Sequence, residues 1–241
     1  MNLKKDKILI TGSTRGIGLA LLRKFHSEGF TVYGTGTNRT SIESAQKVIP
    51  NVRYFVYDSK ETSLESLAKE IEINEINVLI NNSGIQYNDS FEEEGDLSDR
   101  MRKELEINFL FPALLIHRIL PVFLKKENSK ILNLTSALSF VSRKNVLMYS
   151  SSKAALSRFT RSLALQLKEY KNIQVVEVIP PLVATDMTKG RVLKGTMSAE
   201  KFASEFYRSY QKGKKEFYIG KTGLLHLISK FSGKLAERIV R

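Results

Sequence analysis

The 241-residue chain contains no cysteine. Disulfides, thiolate metal sites and a cysteine nucleophile are thereby excluded. Its three histidines, His26, His117 and His226, are isolated from one another, so no metal site is expected. No apolar run approaches the roughly 18 residues needed to span a bilayer. The charged residues 1–7 precede an apolar stretch, 8–10, that is too short for a signal peptide, and a cytoplasmic location is expected. Repeats, low-complexity stretches and Pro/Gly-rich linkers are also missing. One domain over residues 1–241 is the expectation.

What is present is ordinary in amount and uneven in placement. Apolar residues make up 42% and charged residues 26%, as in soluble globular proteins. The formal net charge is +13, and residues 189–241 hold thirteen basic and four acidic residues, net +9. One reading is a solvated, lysine-rich surface. The other is a face for an anionic partner, such as a phosphorylated substrate or carrier, or a membrane surface. Nucleic acid is not expected, because no binding motif or aromatic–basic interleaving accompanies the charge.

Apolar, β-rich runs at 7–11, 31–35, 52–57, 78–81, 130–135 and 174–179 alternate with helical patterns at 16–28, 42–47, 64–73, 100–126 and 149–169. The strand runs are apolar at nearly every central position, as strands covered on both faces are. Such alternation predicts an α/β fold, a Rossmann-type doubly wound parallel sheet, with ligands at the carboxyl ends of its strands.

The first strand runs into Gly12-Ser13-Thr14-Arg15-Gly16-Ile17-Gly18, followed by a helix. Glycines permit a sharp turn and close approach of backbone to a pyrophosphate, and the helix N-terminus offers free N–H donors. The spacing, TGxxxGxG, resembles the short-chain dehydrogenase/reductase family. After the second strand the run Gly34-Thr-Gly-Thr37-Asn38-Arg39 has no acid. A carboxylate there would favour NAD; Arg15 and Arg39 instead suit a 2′-phosphate, so NADP(H) is predicted over NAD. The Gly-Thr-x-Thr pattern also resembles 3-oxoacyl-carrier-protein reductases. The resemblance further implies cofactor contacts from Asp58 and Ser59 (adenine), Asn82 and Gly84 in Asn-Asn-Ser-Gly (ribose), and Val183 and Thr185 (carboxamide).

Tyr149 and Lys153 are four residues apart on a predicted helix, on one face and one turn apart. A free phenol titrates near ~10, and a neighbouring ammonium favours its ionised form. With Ser136 after the fifth strand and Asn108 upstream, these residues resemble the family's full catalytic tetrad. The family assigns Ser136 to the substrate oxygen, Tyr149 to acid–base work, Lys153 to the phenol and the nicotinamide ribose, and Asn108 to a relay water. Pro112 has no N–H to bond the carbonyl of residue 108, which a helix would otherwise require. Hydride transfer between NADP(H) and a small-molecule carbonyl or secondary alcohol is the implied reaction, with a 3-oxoacyl or other lipid-like, carrier-bound substrate as one candidate.

Two features depart from the family pattern. Pro180-Pro181 stands where Pro-Gly is usual. The final strand is reduced to 217–219, which puts the usual homodimer or homotetramer in question. Residues 186–216 are read as a substrate lid with a helix at 198–212. Residues 221–241 are read as a basic amphipathic tail of two short helices, in which Leu224, Ile228, Phe231, Leu235 and Ile239 recur at helical spacing, Ser232 is the N-cap, and Lys230, Lys234, Arg238 and Arg241 crowd the same region. This tail resembles a subgroup found in cell-envelope operons. Packing on its own domain is the plain expectation, with a subunit interface or membrane-surface contact as alternatives. A non-catalytic NADP-binding sensor, or a membrane-associated scaffold of the same fold, is the alternative function.

Overall fold

Strand β1 (Lys7–Ile10) shows how the layers form. The computed structural model describes residues 5–58, 60–88, 90–92, 96–190 and 196–240. Ile8, Leu9 and Ile10 are all wholly buried. Successive strand side chains point to opposite faces, so Ile8 and Ile10 join one apolar layer and Leu9 the other. Val78 and Ile80 part from Leu79 in the same way in β4 (Val78–Asn81), as do Val176 and Val178 from Val175 in β6 (Ile173–Ile179).

With β2 (Thr31–Gly36), β3 (Arg53–Val56), β5 (Ser129–Leu134) and β9 (Glu216–Tyr218), these strands make a seven-stranded sheet. Its order is β3-β2-β1-β4-β5-β6-β9, and every pairing is parallel. The chain builds outward from β1 to β3, returns to β4 beside β1, and builds outward the other way. That reversal opens a crevice beyond the carboxyl ends of β1 and β4. A two-stranded pair, β7 (Val183–Ala184) with β8 (Met197–Ser198), lies apart from the main sheet.

Helices α1 (Gly16–Ser27) and α7 (Ala199–Gln211) cover one face. Phe25 packs edge-on against Phe30, Phe206, Tyr207 and Tyr210, with ring centroids 5.3, 5.9, 5.5 and 5.1 Å away. Burial of one such ring contributes about 2–3 kcal/mol. Helices α3 (Glu61–Ile73), α5 (Phe111–Leu124) and α6 (Leu147–Gln166) cover the other face through Leu64, Leu67, Leu115, Ile119 and Leu163. At the amino ends of the strands, buried Asp6 is paired with Lys130 (2.8 Å) and accepts hydrogen bonds from Tyr210 and Asn77. Burial and the Asp6 charge push the Tyr210 phenol far above its usual range, so it stays a donor.

Several elements differ from the sequence expectation. Helix α2 (Arg39–Val48) starts three residues earlier, because the Asn38 side chain accepts from Ser41 N–H at 2.9 Å and caps it. The single long helix expected at 100–126 is α4 (Ser98–Leu105), a π-helical turn (Glu106–Leu110) and α5 in continuous succession. This 27-residue stretch is, among the described residues, the one helix long and apolar enough to cross a membrane. Phe111, Leu115, Ile116, Ile119 and Phe123 on it are buried against the sheet layer. The last strand is present, since β9 pairs in parallel with β6. Residues 198–212 form α7 with Ser198 as its cap, accepting from Lys201 N–H at 3.2 Å. Residues 191–195 of the expected lid lie outside the described residues.

The tail forms two helices, α8 (Thr222–Phe231) and α9 (Gly233–Val240), with the Ser232 hydroxyl accepting from Leu235 N–H at 3.3 Å. Their apolar side chains are not packed on the domain as expected. Leu224, Phe231, Leu235 and Ile239 are exposed, because buried Thr222 and Ala236 make the attachment from other sides of the helices. Ile228 alone of the five is half-buried. Arg241 lies outside the described residues.

Candidate active site

The crevice is a cleft of about 680 Å³. Its floor is the glycine turn. Gly12 and Gly16 have φ of +63° and +56°, a region that disfavours side chains. A Cβ on Gly12 would lie 2.8 Å from Ser83 Oγ, and one on Gly18 would lie 2.4 Å from the Gly12 carbonyl oxygen. The turn is pinned from both sides. Gly12 N–H donates to Thr35 Oγ1 (2.9 Å), and Asn82 Nδ2 donates to the Thr11 (2.9 Å) and Gly12 (3.1 Å) carbonyls. No side chain caps the N-terminus of α1, which begins at this turn. Its first N–H groups and its dipole therefore face the cleft.

Of the residues expected at a cofactor, Gly12, Thr14, Arg15, Gly16, Ile17, Gly18, Thr37, Asn38, Asn82, Gly84 and Thr185 line the cleft. Ser13 does not. It is wholly buried, with its Oγ accepting from Thr35 N–H at 3.2 Å, and it fastens the turn to β2. Arg39 opens α2, is exposed and does not border the cleft. Asp58 is likewise off the lining and pairs with Lys60 at 3.3 Å. Ser59 lies outside the described residues. Val183 is buried in β7, its carbonyl accepting from the Thr188 hydroxyl at 2.7 Å. Thr185 and Thr188 cap each other's backbone, and a Cβ on Gly16 would lie 3.4 Å from the Thr185 methyl, so this segment closes over the turn.

At the other end of the cleft stand Tyr149 and Lys153 of α6. The Lys153 Nζ is 6.0 Å from the Tyr149 ring centroid and donates to the Leu134 carbonyl at 2.9 Å. Lys153 is buried, and among the described residues no carboxylate pairs with it. Burial lowers its pKa from 10.5 to about 8. Gly84 makes room for it, since a Cβ there would sit 3.5 Å from Nζ and 3.1 Å from Asn108 Oδ1.

Asn108 is wholly buried in the π turn. Its amide pairs with the backbone of Ile85, accepting from N–H and donating to C=O at 2.9 Å each, and also donates to Ser152 Oγ at 3.1 Å. The turn arises where Pro112 withholds an N–H, and Phe111 N–H bonds back five residues to the Glu106 carbonyl. Ser136 lies just beyond the cleft-lining Thr135, nearly buried, and its Oγ accepts from Leu138 N–H at 3.1 Å. Neither Asn108 nor Ser136 borders the cleft itself.

Sequence reasoning missed three contributors. Glu104, buried on α4, accepts from Tyr87 N–H at 2.7 Å. Together with Asn108 it clips alternate residues, 85 and 87, of the segment that walls the cleft. Tyr57 borders the cleft with a buried hydroxyl that has no partner among the described residues. Ser41 borders it at the start of α2. For Glu104, a carboxylate one turn before Asn108 was the available signal. For Tyr57 and Ser41, position at a strand end and a helix start was the available clue.

Comparison with known proteins decides the family. The family model described as short chain dehydrogenase matches residues 6–194. The chain belongs to the short-chain dehydrogenase family. This family member is an oxidoreductase with the family's parallel-sheet fold. It is 30% identical over 224 residues to the Bacillus subtilis (strain 168) protein named uncharacterized oxidoreductase DltE, covering 90% of this chain and 88% of that protein. It is 33% identical over 188 residues to the 3-oxoacyl-[acyl-carrier-protein] reductase FabG of Aquifex aeolicus (strain VF5), covering 75% of each. Among solved structures, a short chain dehydrogenase from Burkholderia cenocepacia J2315 in complex with NADP has a TM-score of 0.85 at 23% identity, covering 98% of this chain and 97% of that one.

Proposed function

We propose that this dehydrogenase interconverts a carbonyl and a secondary alcohol with NADP(H), using Tyr149, Lys153, Ser136 and Asn108. The observation that carries the reading is that Tyr149 and Lys153, one turn apart on α6, border the same cleft as the bare glycine turn.

The residues fit a dinucleotide. Gly12 and Gly18 let the turn close on itself where side chains would collide, α1 offers an uncapped positive end, and the Tyr57 hydroxyl, without a partner among the described residues, waits for a polar group. The turn Gly12–Gly18, with Asn82, Gly84 and the segment of Val183 and Thr185, would hold the cofactor. Thr37, Asn38 and Arg15 border the cleft and leave the end of β2 without an acid, which favours a 2′-phosphate and hence NADP(H) over NAD. The bound cofactor supplies or accepts the hydride.

In reduction Tyr149 gives its proton to the substrate oxygen. The Lys153 charge, close to neutral pH in its own titration, stabilises the negative charge that develops on the phenol oxygen. Ser136, one residue past the cleft-lining Thr135, is the donor to the substrate oxygen and must turn its hydroxyl into the cleft to act so, while Asn108 fixes the wall at Ile85. Ile85, Ile107, Phe111, Pro180 and Met187 give the cleft apolar walls. Those walls, and the 3-oxoacyl reductase among the relatives, support a 3-oxoacyl or other lipid-like, carrier-bound substrate. The proposal includes a single domain, a cytoplasmic location, and a homodimer or homotetramer, for which exposed Leu105, Leu110, Leu114 and Leu165 offer a face; of the expected lid, 186–216, α7 is excluded, because Phe202, Phe206 and Tyr210 bury it in the core.

The test is turnover of 3-oxoacyl thioesters and a panel of ketones, read as loss of NADPH absorbance. Tyr149→Phe is expected to lower kcat by about 10²–10⁴ while NADPH still binds, as read by its fluorescence. Full turnover by that variant refutes the mechanism. Tight NADPH binding with no turnover of any substrate would favour a sensor instead.

A further inference from the structure

Helices α8 and α9 turn an apolar stripe toward solvent. Leu224, Leu227 and Phe231 recur at three- and four-residue spacing and so share one face of α8. Phe231 is 85% exposed; Leu224 and Leu227, and Leu235 and Ile239 one turn apart on α9, are each about half exposed. The stripe does not come from a loosely attached segment. Thr222 is buried with its hydroxyl at 2.9 Å from the Ile219 carbonyl and 3.2 Å from that of Ile179, and Ala236 is wholly buried. His226 lies between the rings of Phe140 and Tyr218, at 4.8 and 5.4 Å. One side of the pair is fixed to the domain, and the apolar side is left over.

Charge decides what covers it. Lys230 stands three residues after Leu227 and Arg238 three after Leu235, along the borders of the stripe, with Lys221 and Lys234 nearby. Glu237 is the one acid between residues 220 and 240, and its helical position is on the far side from Leu235 and Ile239. Two copies meeting through this face would bring two basic borders together, and like charges repel. A lipid surface of negative charge suits both parts. The apolar side chains enter the boundary between headgroups and acyl chains, and the lysines and arginine reach the phosphates.

We propose that α8 and α9 form a docking face for an anionic lipid bilayer. Ile179, to which Thr222 is tied, directly precedes the cleft-lining Pro180. Docking therefore sets the β6 side of the cleft close to the membrane, on the approach a lipid-like molecule would use.

The experiment is flotation of the full chain with vesicles of phosphatidylcholine, or of an equimolar mix with phosphatidylglycerol. Binding to the anionic vesicles is expected to be at least about tenfold tighter and to weaken as salt rises. Combined Leu227→Ser and Phe231→Ser should reduce it about tenfold or more. Reversal of Lys230, Lys234 and Arg238 to Glu should reduce it by about two orders of magnitude or more. These side chains are exposed, and a thermal melt checks that each variant is folded; the two vesicle types already decide the matter with the unaltered chain. No binding to anionic vesicles overturns the proposal. So does unaltered binding by the charge-reversed chain. Sedimentation showing self-association that Phe231→Ser abolishes, without vesicle binding, would assign the face to a second copy. Catalysis is not read in any arm, so failure here leaves the oxidoreductase reading standing.

Discussion

Lys153 is an ammonium kept in a place that works against it, and replacing it by an apolar side chain of similar length measures how strongly. Burial moves its pKa from 10.5 to about 8, which corresponds to about 3 kcal/mol spent on holding the charge in the folded chain at neutral pH. Lys153→Met removes that cost but also the charged hydrogen bond to the Leu134 carbonyl, worth about 1.5–3 kcal/mol. The net expectation is a variant at least as stable as the parent, by up to about 1.5 kcal/mol at pH 7, and without turnover. The pH dependence is the sharper readout. Below pH 8 the lysine is protonated whether the chain is folded or not, and the full cost is present. Between pH 8 and 10.5 the unfolded chain binds more protons at this site than the folded one, so the parent gains stability as pH rises. The variant cannot. Urea unfolding of both proteins without cofactor, from pH 6 to above 10, should show the variant's advantage vanish and reverse. A difference that stays flat across that window, or a variant less stable at pH 7, would refute the reasoning.

Asn38→Asp keeps an acceptor for the Ser41 N–H, and so keeps the cap of α2, while placing a negative charge on the cleft. NADPH affinity should fall about tenfold or more with NADH affinity unchanged, in titrations of cofactor fluorescence; equal losses for both would show that the 2′-phosphate does not lie there. Glu104→Leu leaves the Tyr87 N–H without its acceptor, at a cost of about 1–3 kcal/mol in urea unfolding. Glu104→Gln retains an acceptor oxygen and should restore most of it; equal losses from the two would mean the contact with Tyr87 contributes nothing.

The strands were readable because each apolar run feeds two layers at once. Ile8, Leu9 and Ile10 have no polar face, and their assignment rested on a short, unbroken apolar run set between helical patterns. The pairing of Tyr149 with Lys153 was readable because a four-residue spacing on a helix fixes a shared face, and the structure turns that face to the cleft. Long-range contacts were not readable. Ser13 looks like any other member of a phosphate-binding turn until β2 is placed beside it and the Thr35 N–H donates to its hydroxyl oxygen. Glu104 reads as a surface carboxylate on a charged helix, and only the segment at 85–87 folding over it makes it a buried acceptor. The α8–α9 stripe was read correctly as helical, but amphipathic spacing states which side chains share a face and not which face meets the domain. That was decided by Thr222 and Ala236, small residues with no place in the hydrophobic pattern.

The π turn at Glu106–Leu110 has a consequence for how this chain can change length. It stores one surplus residue inside an otherwise continuous rod. Losing Glu106 or Ile107 would let the rod heal into ordinary winding while both flanks kept their present faces. Glu104 and Asn108 would then still meet Tyr87 and Ile85. The same loss within α4 or α5, where no residue is surplus, would swing one flank by about 100° and shift it by about 1.5 Å. The rod accepts shortening at the π turn and resists it on either side.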